Sequence, residues 1–536
     1  MHIENAFVRP RLPEQGLRDS PSEACEAEAR DLLAMADILA EANVALAANL
    51  DDWRQRVNEL LASPITDSLS TVQRLEVLAM DLRRQWIDLA QSVVAGELKS
   101  PPVGRLPLLP ISPSFHYIYE RVLSPHYAQK RLQAAEPVIP GWDMNISLFN
   151  SGMAAITTAI TVLRQKKAAY CPPDKPSLRL EMFGGYFETQ FLLDLLSTSD
   201  LNCQASLDLE GVLDRFSSGE TDILFLELIA YDWKQTVVDP ARLLDAIARR
   251  PANRPWILMV DNTLLGPVFK MGPLLAACGE KKPMLALEVR SGLKLDQAGL
   301  EFTNVGIVKT LSPEGLEPSQ QLDAAKFRQG LVSARKRLGT GLSLSQMSIL
   351  DAPWIFHREL TQQRAEAVFD NNRRLAFALA RSNKLFAKVN HPGLSSQAKL
   401  SWAESPLVVM EFHAQDDNEE NTTFLLGIIA HEVRRRNLVL YLGASFGFRH
   451  HRCEVVEPSA YTHSNGQAAS FFKVAMGSRS GPCMEGTIKL MQELAAFADF
   501  AALRRAYPNI NPDREFAAFP DIQTVRLIRK PDAQEN

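Results

Sequence analysis

The 536-residue sequence predicts an α/β protein built on a mostly parallel sheet, with a helical N-terminal extension and a smaller C-terminal α+β domain. Three observations support this fold class. The N-terminal segment carries apolar residues at helical spacing, the central segment alternates short apolar runs with helical or turn-rich stretches, and the C-terminal segment mixes both patterns. Such alternation is typical of a parallel sheet covered by helices. We place the divisions at residues 1–105, 106–340 and 341–536.

The N-terminal division rests on a clear change of pattern. Apolar residues recur at intervals of three and four over residues 22–98, which predicts two or three amphipathic helices. The sequence Ser100-Pro101-Pro102 ends this pattern, because proline has no backbone N–H and the residue before a proline avoids the α region. A boundary near residue 100 follows.

The central division contains the predicted strands of the large sheet. They are residues 146–149, 178–182, 223–228, 256–260, 284–289 and 302–308, followed by a helix over 318–337. In the C-terminal division we predict one long helix over 343–381, strands at 407–412, 438–442 and 470–475, and helices at 421–436 and 484–498. These mixed elements predict a smaller α+β domain.

Composition narrows the classes of function. Charged residues make up 23% of the chain and the net charge is −5, so nothing indicates nucleic acid or an anionic membrane as a partner. The sequence shows no long apolar run and no pattern typical of a signal peptide, which predicts a cytoplasmic protein that acts on small molecules. The six cysteines lie far apart without a CxxC spacing, and we expect reduced thiols.

The first candidate site is Asn150-Ser151-Gly152-Met153, which follows a predicted strand and begins a helix. The free N–H groups of a helix N-terminus bind phosphate, and a glycine lets the backbone approach the ligand closely. Serine is also a routine helix cap, so a cap without a ligand is the alternative.

Two further candidates follow predicted strands. Asp261 ends one strand and is therefore directed at the crevice where α/β proteins bind ligands, although an aspartate there also caps turns. Lys294 follows the next strand, and a desolvated lysine can form a Schiff base. For any single lysine, a solvated surface position is the alternative.

In this order the motifs resemble the Cys/Met-metabolism family of pyridoxal-phosphate (PLP) enzymes, the relatives of cystathionine γ-synthase and methionine γ-lyase. The matching segments are Ser151-Gly152-Met153, Asp261-Asn262-Thr263, Ser291-x-x-Lys294 and, upstream, Tyr119-Glu120-Arg121. The resemblance spans about residues 106 to 500. It implies a fold-type-I PLP-dependent transferase that forms a homodimer or homotetramer with shared active sites.

The resemblance also implies roles for individual residues. Lys294 binds the cofactor covalently and moves protons, and Asp261 pairs with the pyridinium nitrogen. The remaining predicted cofactor contacts are Ser151, Gly152, Met153, Thr263 and Ser291, with Tyr119 and Arg121 supplied by a neighbouring subunit.

The sequence departs from the family pattern at three places. Phe183 stands where the family has a tyrosine stacked on the cofactor, and phenylalanine cannot transfer a proton, although Tyr186 is a possible substitute. Tyr231 stands where an asparagine bonds the cofactor, and we assign it a catalytic role. The arginine that binds the substrate carboxylate is replaced by Lys473. The candidates for substrate binding are Lys473, Arg449, Arg479 and Ser445.

These features predict γ-elimination or γ-substitution on a sulfur-containing or homoserine-derived amino acid. Without the tyrosine at 183, a sulfonium that leaves as a neutral thioether suits the site, so S-adenosylmethionine is a candidate, with a second substrate capturing a vinylglycine-type intermediate. A conventional carbon–sulfur lyase or synthase is one alternative, and a non-catalytic scaffold or sensor is another. The adjacent His450 and His451 have no third ligand spaced nearby, so no metal site is predicted.

Overall fold

The computed structural model describes residues 7, 20–42, 44–62, 68–104, 106–114, 117–169, 171, 175–315, 323–397, 400–457 and 469–518. Three helices open the chain, α1 (Pro21–Ala42), α2 (Val44–Ala62) and α3 (Ser68–Val94), as the apolar spacing predicted. Their apolar faces share one core with the C-terminal part of the chain. At this contact the Trp86 indole N–H donates to the backbone oxygen of Ile349 at 2.8 Å.

A seven-stranded sheet forms the central part. Its strands are β1 (Trp142–Phe149), β2 (Leu178–Phe183), β3 (Leu201–Ser206), β4 (Ile223–Glu227), β5 (Ile257–Asp261), β6 (Leu285–Ser291) and β7 (Gly306–Pro313). The strand order is β1-β7-β6-β5-β4-β2-β3. The five strands from β6 to β3 are parallel, and β7 is antiparallel to both β6 and β1. The predicted mostly parallel sheet is therefore confirmed.

Helices connect the strands of this sheet and cover it. They are α4 (His126–Ala135), α5 (Gly152–Gln165), α6 (Phe187–Leu196), α7 (Leu209–Ser217), α8 (Pro240–Arg249), α9 (Met271–Ala277) and α10 (Ala324–Leu338). The helix predicted over 318–337 corresponds to α10, and residues 318–322 lie outside the described residues. Strand β3 was not predicted, because its exposed positions Asn202 and Gln204 interrupt the apolar run.

The C-terminal part combines a second sheet with helices. Its elements are α11 (Leu344–Ile349), α12 (Arg358–Ser382), β8 (Lys388–Asn390), β9 (Val408–Glu411), α13 (Glu419–Arg435), β10 (Leu440–Leu442), β11 (His451–Val456), β12 (Phe471–Ala475), α14 (Pro482–Ala495), α15 (Phe500–Ala506) and α16 (Pro512–Ala517). The sheet order is β10-β11-β12-β9-β8. The single helix predicted over 343–381 is wrong: α11 and α12 are separate, and Pro353, which lacks a backbone N–H, lies between them.

The large sheet brings several polar residues to one edge. Strands β2, β4, β5 and β6 are parallel, so their carboxyl ends lie together, and β4, β5 and β6 end in Glu227, Asp261 and Ser291. Ligands of open α/β sheets bind outside such an edge. Among the described residues, no helix is both long and apolar enough to cross a bilayer.

Candidate active site

A cavity of about 500 Å³ lies at this edge of the sheet. The sequence-predicted residues that line it are Ser151, Gly152, Met153, Tyr231, Asp261, Thr263, Ser291, Lys294, Ser445 and Lys473. They come from both sheets and from the loops between them. The fold therefore brings together residues that are separated by more than 300 positions in the sequence.

The N-terminus of α5 forms one wall of the cavity. Ser151 caps this helix, since its Oγ accepts the Ala154 N–H at 3.1 Å and its backbone oxygen accepts the Ala155 N–H at 3.1 Å. The first N–H groups of a helix have no intrahelical partner, so those of Gly152 and Met153 are available to an anion. Ser151 therefore caps the helix, and this cap is compatible with an anion site.

Close backbone approach shapes this wall. A Cβ atom at Gly306 would lie 1.9 Å from the backbone oxygen of Ser151, so a side chain there would displace the start of α5. Gly306 pairs with Ser291 across β6 and β7. Thr263 fixes Ser291 from the other side, because its Oγ1 accepts the Ser291 N–H at 3.0 Å. The residues predicted to hold a phosphate are therefore mutually positioned.

Asp261 lies at the end of β5 on the cavity wall. Its Oδ1 accepts the backbone N–H of Thr263 at 2.8 Å, so Asp261 also caps the turn, as the alternative interpretation proposed. Burial raises the pKa of Asp261, and the hydrogen bonds from Thr263 oppose this shift. A buried carboxylate with a raised pKa gains from a cation that it can contact.

Glu227 is a second carboxylate at the same depth, paired in register with Asp261 on the neighbouring strand. It accepts the backbone N–H groups of Gly185 at 2.9 Å, Tyr186 at 3.1 Å and Tyr231 at 2.9 Å. Burial, together with the charge of Asp261, raises the pKa of Glu227 to about 8. Two adjacent buried carboxylates disfavour a second negative charge, which favours the protonated form of Glu227, while the three backbone hydrogen bonds oppose this shift.

Lys294 lies three residues beyond β6, and its Nζ donates to Ser445 Oγ. Burial first, and then the charge of Lys473, lowers the pKa of Lys294 to about 8. This placement rules out the solvated-lysine alternative. Ser445 has a φ of 83°, a conformation that non-glycine residues rarely adopt and that is typical of functional sites.

Lys473 contacts two other cavity residues. Its Nζ lies 3.0 Å from the Tyr231 hydroxyl oxygen and forms an ion pair with Glu454. Burial lowers the pKa of Lys473, but the interactions with Tyr231 and Glu454 outweigh this effect and raise the pKa above its ordinary value. Sequence reasoning missed Glu454, because its contact depends on the register of β11 against β12, where Glu454 faces Lys473.

The two arginine candidates for substrate binding lie elsewhere. Arg449 forms ion pairs with Asp31 at 2.7 Å and with Glu28 at 3.3 Å, and Arg479 pairs with Glu28 at 2.7 Å. Neither arginine lines the cavity. The assignment of Arg449 or Arg479 to the substrate carboxylate is therefore wrong, since carboxylates of the N-terminal helices already hold both guanidinium groups. Of the three charged candidates, Lys473 lines the cavity.

Phe183 also lies outside the cavity lining. It ends β2 and is fully buried in the hydrophobic core, so the prediction that it replaces the stacked tyrosine does not agree with its position. Tyr186, three residues later, lines the cavity. Its ring meets the ring of Tyr231 edge-on, with 5.5 Å between the two ring centres. Burial raises the pKa of both Tyr186 and Tyr231, so both phenols remain protonated at neutral pH.

Tyr119 and Arg121 are exposed, and neither lines the cavity. The Arg121 guanidinium lies 5.2 Å from the centre of the Tyr119 ring, so the two side chains form one surface feature. Their contribution to a neighbouring subunit stays a prediction. His450 contacts Glu76 while His451 accepts the N–H of Gly477. Within the described ranges, no group of three or more potential ligands is placed to hold a metal ion.

Comparison with known proteins shows similarity at the level of structure. No protein-family model matches the chain, and no curated protein sequence matches it. A cystathionine γ-lyase from yeast superposes with a TM-score of 0.50 at 17% identity, covering 76% of this chain and 98% of that one. A methionine γ-lyase from Micromonospora echinospora gives 0.48 at 17% identity, covering 77% and 98%, and the metB protein of Corynebacterium glutamicum gives 0.48 at 16%, covering 75% and 91%. The likeness to the yeast structure confirms the predicted fold.

Proposed function

We propose that this chain binds PLP in the cavity and catalyses γ-elimination or γ-substitution on a sulfur-containing or homoserine-derived amino acid. The observation that carries the proposal is that Lys294, with a pKa lowered to about 8, shares one cavity with the buried carboxylate of Asp261. A neutral amine is the nucleophile that a carbonyl cofactor requires. The fold shared with cystathionine γ-lyase supports the same assignment.

The residues of the cavity fit this cofactor. The N–H groups of Gly152 and Met153 and the hydroxyl of Ser291 suit its phosphate, and Asp261 suits its ring nitrogen. The backbones of Gly306 and Ser151 lie so close together that a Cβ atom at residue 306 would clash with Ser151. The phosphate site beside Ser151 is therefore tightly packed. When bound, PLP supplies an electron sink for the substrate.

The side chains around the cavity can bind, orient and move protons. Ser445 holds the Lys294 amine, which is neutral in a substantial fraction near pH 8 and can then accept a proton. Tyr186 and Tyr231 present protonated phenols that can donate to a leaving group. Lys473 is the candidate contact for the substrate carboxylate.

S-Adenosylmethionine remains a candidate substrate, but on a different argument. The interpretation from Phe183 no longer applies, because Tyr186 and Tyr231 bring phenols to the cavity. What favours a substrate with a positive charge is the pair of carboxylates Glu188 and Glu457, which line the cavity in addition to the ion-paired Glu454. A conventional lyase or synthase that acts on a neutral thioether or homoserine ester is the second candidate.

Reconstitution with PLP tests the cofactor assignment. We expect visible absorbance in the loaded protein, and borohydride reduction should fix the cofactor on the peptide that contains Lys294. Lys294→Ala should abolish this covalent attachment while leaving the fold intact by circular dichroism. If the cofactor attaches to another lysine, or does not bind, the proposal is wrong and a scaffold becomes the better interpretation.

Deuterium exchange distinguishes the candidate reactions. The loaded protein is incubated in deuterated water with L-methionine, O-acetylhomoserine or S-adenosylmethionine, and the recovered amino acid is examined by mass spectrometry. Exchange at both the α- and β-carbons supports γ chemistry, whereas exchange at the α-carbon alone favours a β-lyase. The substrate that exchanges fastest identifies the class.

We also propose that two copies of the chain share their active sites, with Tyr119 and Arg121 of one copy reaching the cavity of the other. Their exposure on a single chain supports this arrangement. A mixture of Lys294→Ala and Arg121→Ala proteins, each inactive alone, should regain activity after subunit exchange. No regain with subunit exchange demonstrated would contradict the shared site.

A further inference from the structure

The cavity offers few cations to a substrate carboxylate. Among the described residues that line it, the cationic side chains are Lys294, Lys473 and Arg290. Arg290 is 2% exposed, and its guanidinium donates to Glu288 at 2.8 Å and to Asp296 at 3.0 Å. Under the proposed function Lys294 is committed to the cofactor, so Lys473 is the cation left for the substrate.

Lys473 already has a carboxylate partner inside the cavity. Residues 454 and 473 face each other across β11 and β12, and their side chains form an ion pair. The lysine side chain is 2% exposed and that of Glu454 is 21% exposed. Because side chains alternate between the two faces of a sheet, the register of the strands fixes this pair. Glu454 therefore belongs to the architecture of the cavity.

The hydroxyl of Tyr231 occupies a second donor of the same ammonium group, at 3.0 Å. An ammonium has three N–H donors, and the described residues occupy two of those of Lys473, which leaves one for a ligand. A substrate carboxylate at this third donor is attracted by Lys473 and repelled by Glu454, which contacts the same ammonium group. Coulomb energies fall as the inverse of distance, so the repulsion offsets much of the attraction. An uncharged carbonyl oxygen can accept the same N–H without this repulsion.

We propose that Glu454 is a specificity-determining residue that neutralises Lys473, so that the site binds an amino acid and its carboxamide with similar affinity. The inference rests on the proposed function, because it assumes an amino acid joined to PLP in this cavity. The proposal concerns the charge of the substrate. A free α-carboxylate contributes little to binding, and the protein recognises mainly the rest of the substrate molecule. A site with an unpaired cation would instead depend on the carboxylate.

The test uses two conjugates that differ only at the carboxyl group, N-phosphopyridoxyl-L-alanine and N-phosphopyridoxyl-L-alaninamide. Calorimetry with the full-length cofactor-free protein gives the ratio of their dissociation constants. For the wild-type protein we expect a preference for the carboxylate of less than about tenfold, which is about 1.4 kcal/mol. For Glu454→Gln we expect that preference to rise at least about fivefold, since a charge-assisted hydrogen bond is no longer opposed.

Two further variants make the result decisive. In Lys473→Gln/Glu454→Gln both charges are absent, so this variant folds without an unpaired buried ion and should keep the wild-type ratio within about threefold. Glu457→Gln removes another carboxylate from the cavity lining without touching the ion pair, and should change the ratio less than Glu454→Gln does.

Each outcome decides the inference. An unchanged ratio in Glu454→Gln, or a fall of more than about threefold in the double variant, would show that Lys473 acts as an ordinary carboxylate-binding cation. An equal effect of Glu457→Gln would assign the preference to net cavity charge instead. Failure of both conjugates and of PLP to bind would refute the proposed function itself, whereas binding with an unaltered ratio would overturn only the role of Glu454.

Discussion

Two of the regions that contain buried cations differ in their surroundings. The first region is the cavity, with Lys294 and Lys473. The second, which we term the N-terminal charge cluster, joins helices α1 and α3 to the C-terminal part and consists of Glu28, Asp31, Glu76, Arg364, Arg449 and Arg479. In the cluster, Arg449 and Arg479 each contact two carboxylates, while Lys294 in the cavity has a hydroxyl partner and another cation nearby.

The pKa shifts favour the charged form of an acid in the cluster and the neutral form of an amine in the cavity. Burial alone would raise the pKa of Asp31, but the charges of Arg449 and Arg364 lower it to about 2. In the cavity, burial and the charge of Lys473 lower the pKa of Lys294. In the cluster the charges of opposite sign compensate one another, whereas in the cavity the amine of Lys294 lies near a second cation. Burial of a charge does not by itself mark a functional site, and a buried charge that is incompletely neutralised is a candidate for one.

The largest test of this contrast is removal of a counter-charge from the cluster. Glu76 is fully buried, and it contacts Arg479 at 2.7 Å and His450 at 3.2 Å. In Glu76→Ala the buried Arg479 loses one of its two counter-charges, so the free energy of unfolding should fall by about 3–5 kcal/mol. Chemical denaturation measures the loss. The control is Asp88→Ala on the exposed face of α3, which should change stability by less than about 0.5 kcal/mol.

A smaller effect is expected for the carboxylate pair in the cavity. The pKa of Glu227 in the folded protein is raised to about 8. The protonated carboxyl group therefore stabilises the fold fully at a pH below the pKa of glutamate in the unfolded chain, and this contribution is lost as the pH rises through about 8. Glu227→Gln has no proton to lose there. Between pH 6 and pH 9 the wild-type protein should lose more stability than the variant by over about 1 kcal/mol. Parallel curves for the two proteins would show that Glu227 is already ionised at pH 6.

The smallest expected effect concerns the reactive lysine. Because Lys294 lies near another cation and has a lowered pKa, Lys294→Met should raise the unfolding free energy of the cofactor-free protein by about 1 kcal/mol at pH 7. The gain should decrease from about pH 8 and disappear above about pH 11, where the lysine is neutral in both states. The exposed residue Lys130 gives the control, Lys130→Met, with no change expected. A destabilised Lys294→Met would mean that the cavity is neutralised like the cluster.

Local motifs were sufficient to predict part of the site. Gly152, Asp261 and Lys294 each follow a strand of the large sheet, so the strand pattern alone places them at one edge. Phe183 was misplaced because it is the last residue of β2 and its side chain lies in the core, and a motif match does not reveal where a strand ends. Tyr186 then takes the cavity position.

Long-range contacts account for the other errors. Arg479 lies 451 residues from its partner Glu28, and no spacing rule relates such positions. The ion pair between Glu454 and Lys473 depends on the register of two strands, which the sequence of either strand does not specify. The positive charges in the sequence therefore suggested three residues that could bind the substrate carboxylate, Lys473, Arg449 and Arg479. The packing of the chain places Lys473 alone of the three in the cavity lining.

The N-terminal charge cluster has a practical consequence for protein engineering. Helices α1 and α3 carry the acids and the C-terminal part carries the bases, so removing residues 20–94 would leave Arg449 and Arg479 without these carboxylate partners. A shortened variant without the two helices requires uncharged replacements at both arginines in the same step. The acidic and basic residues of the N-terminal charge cluster must therefore be kept together or replaced together.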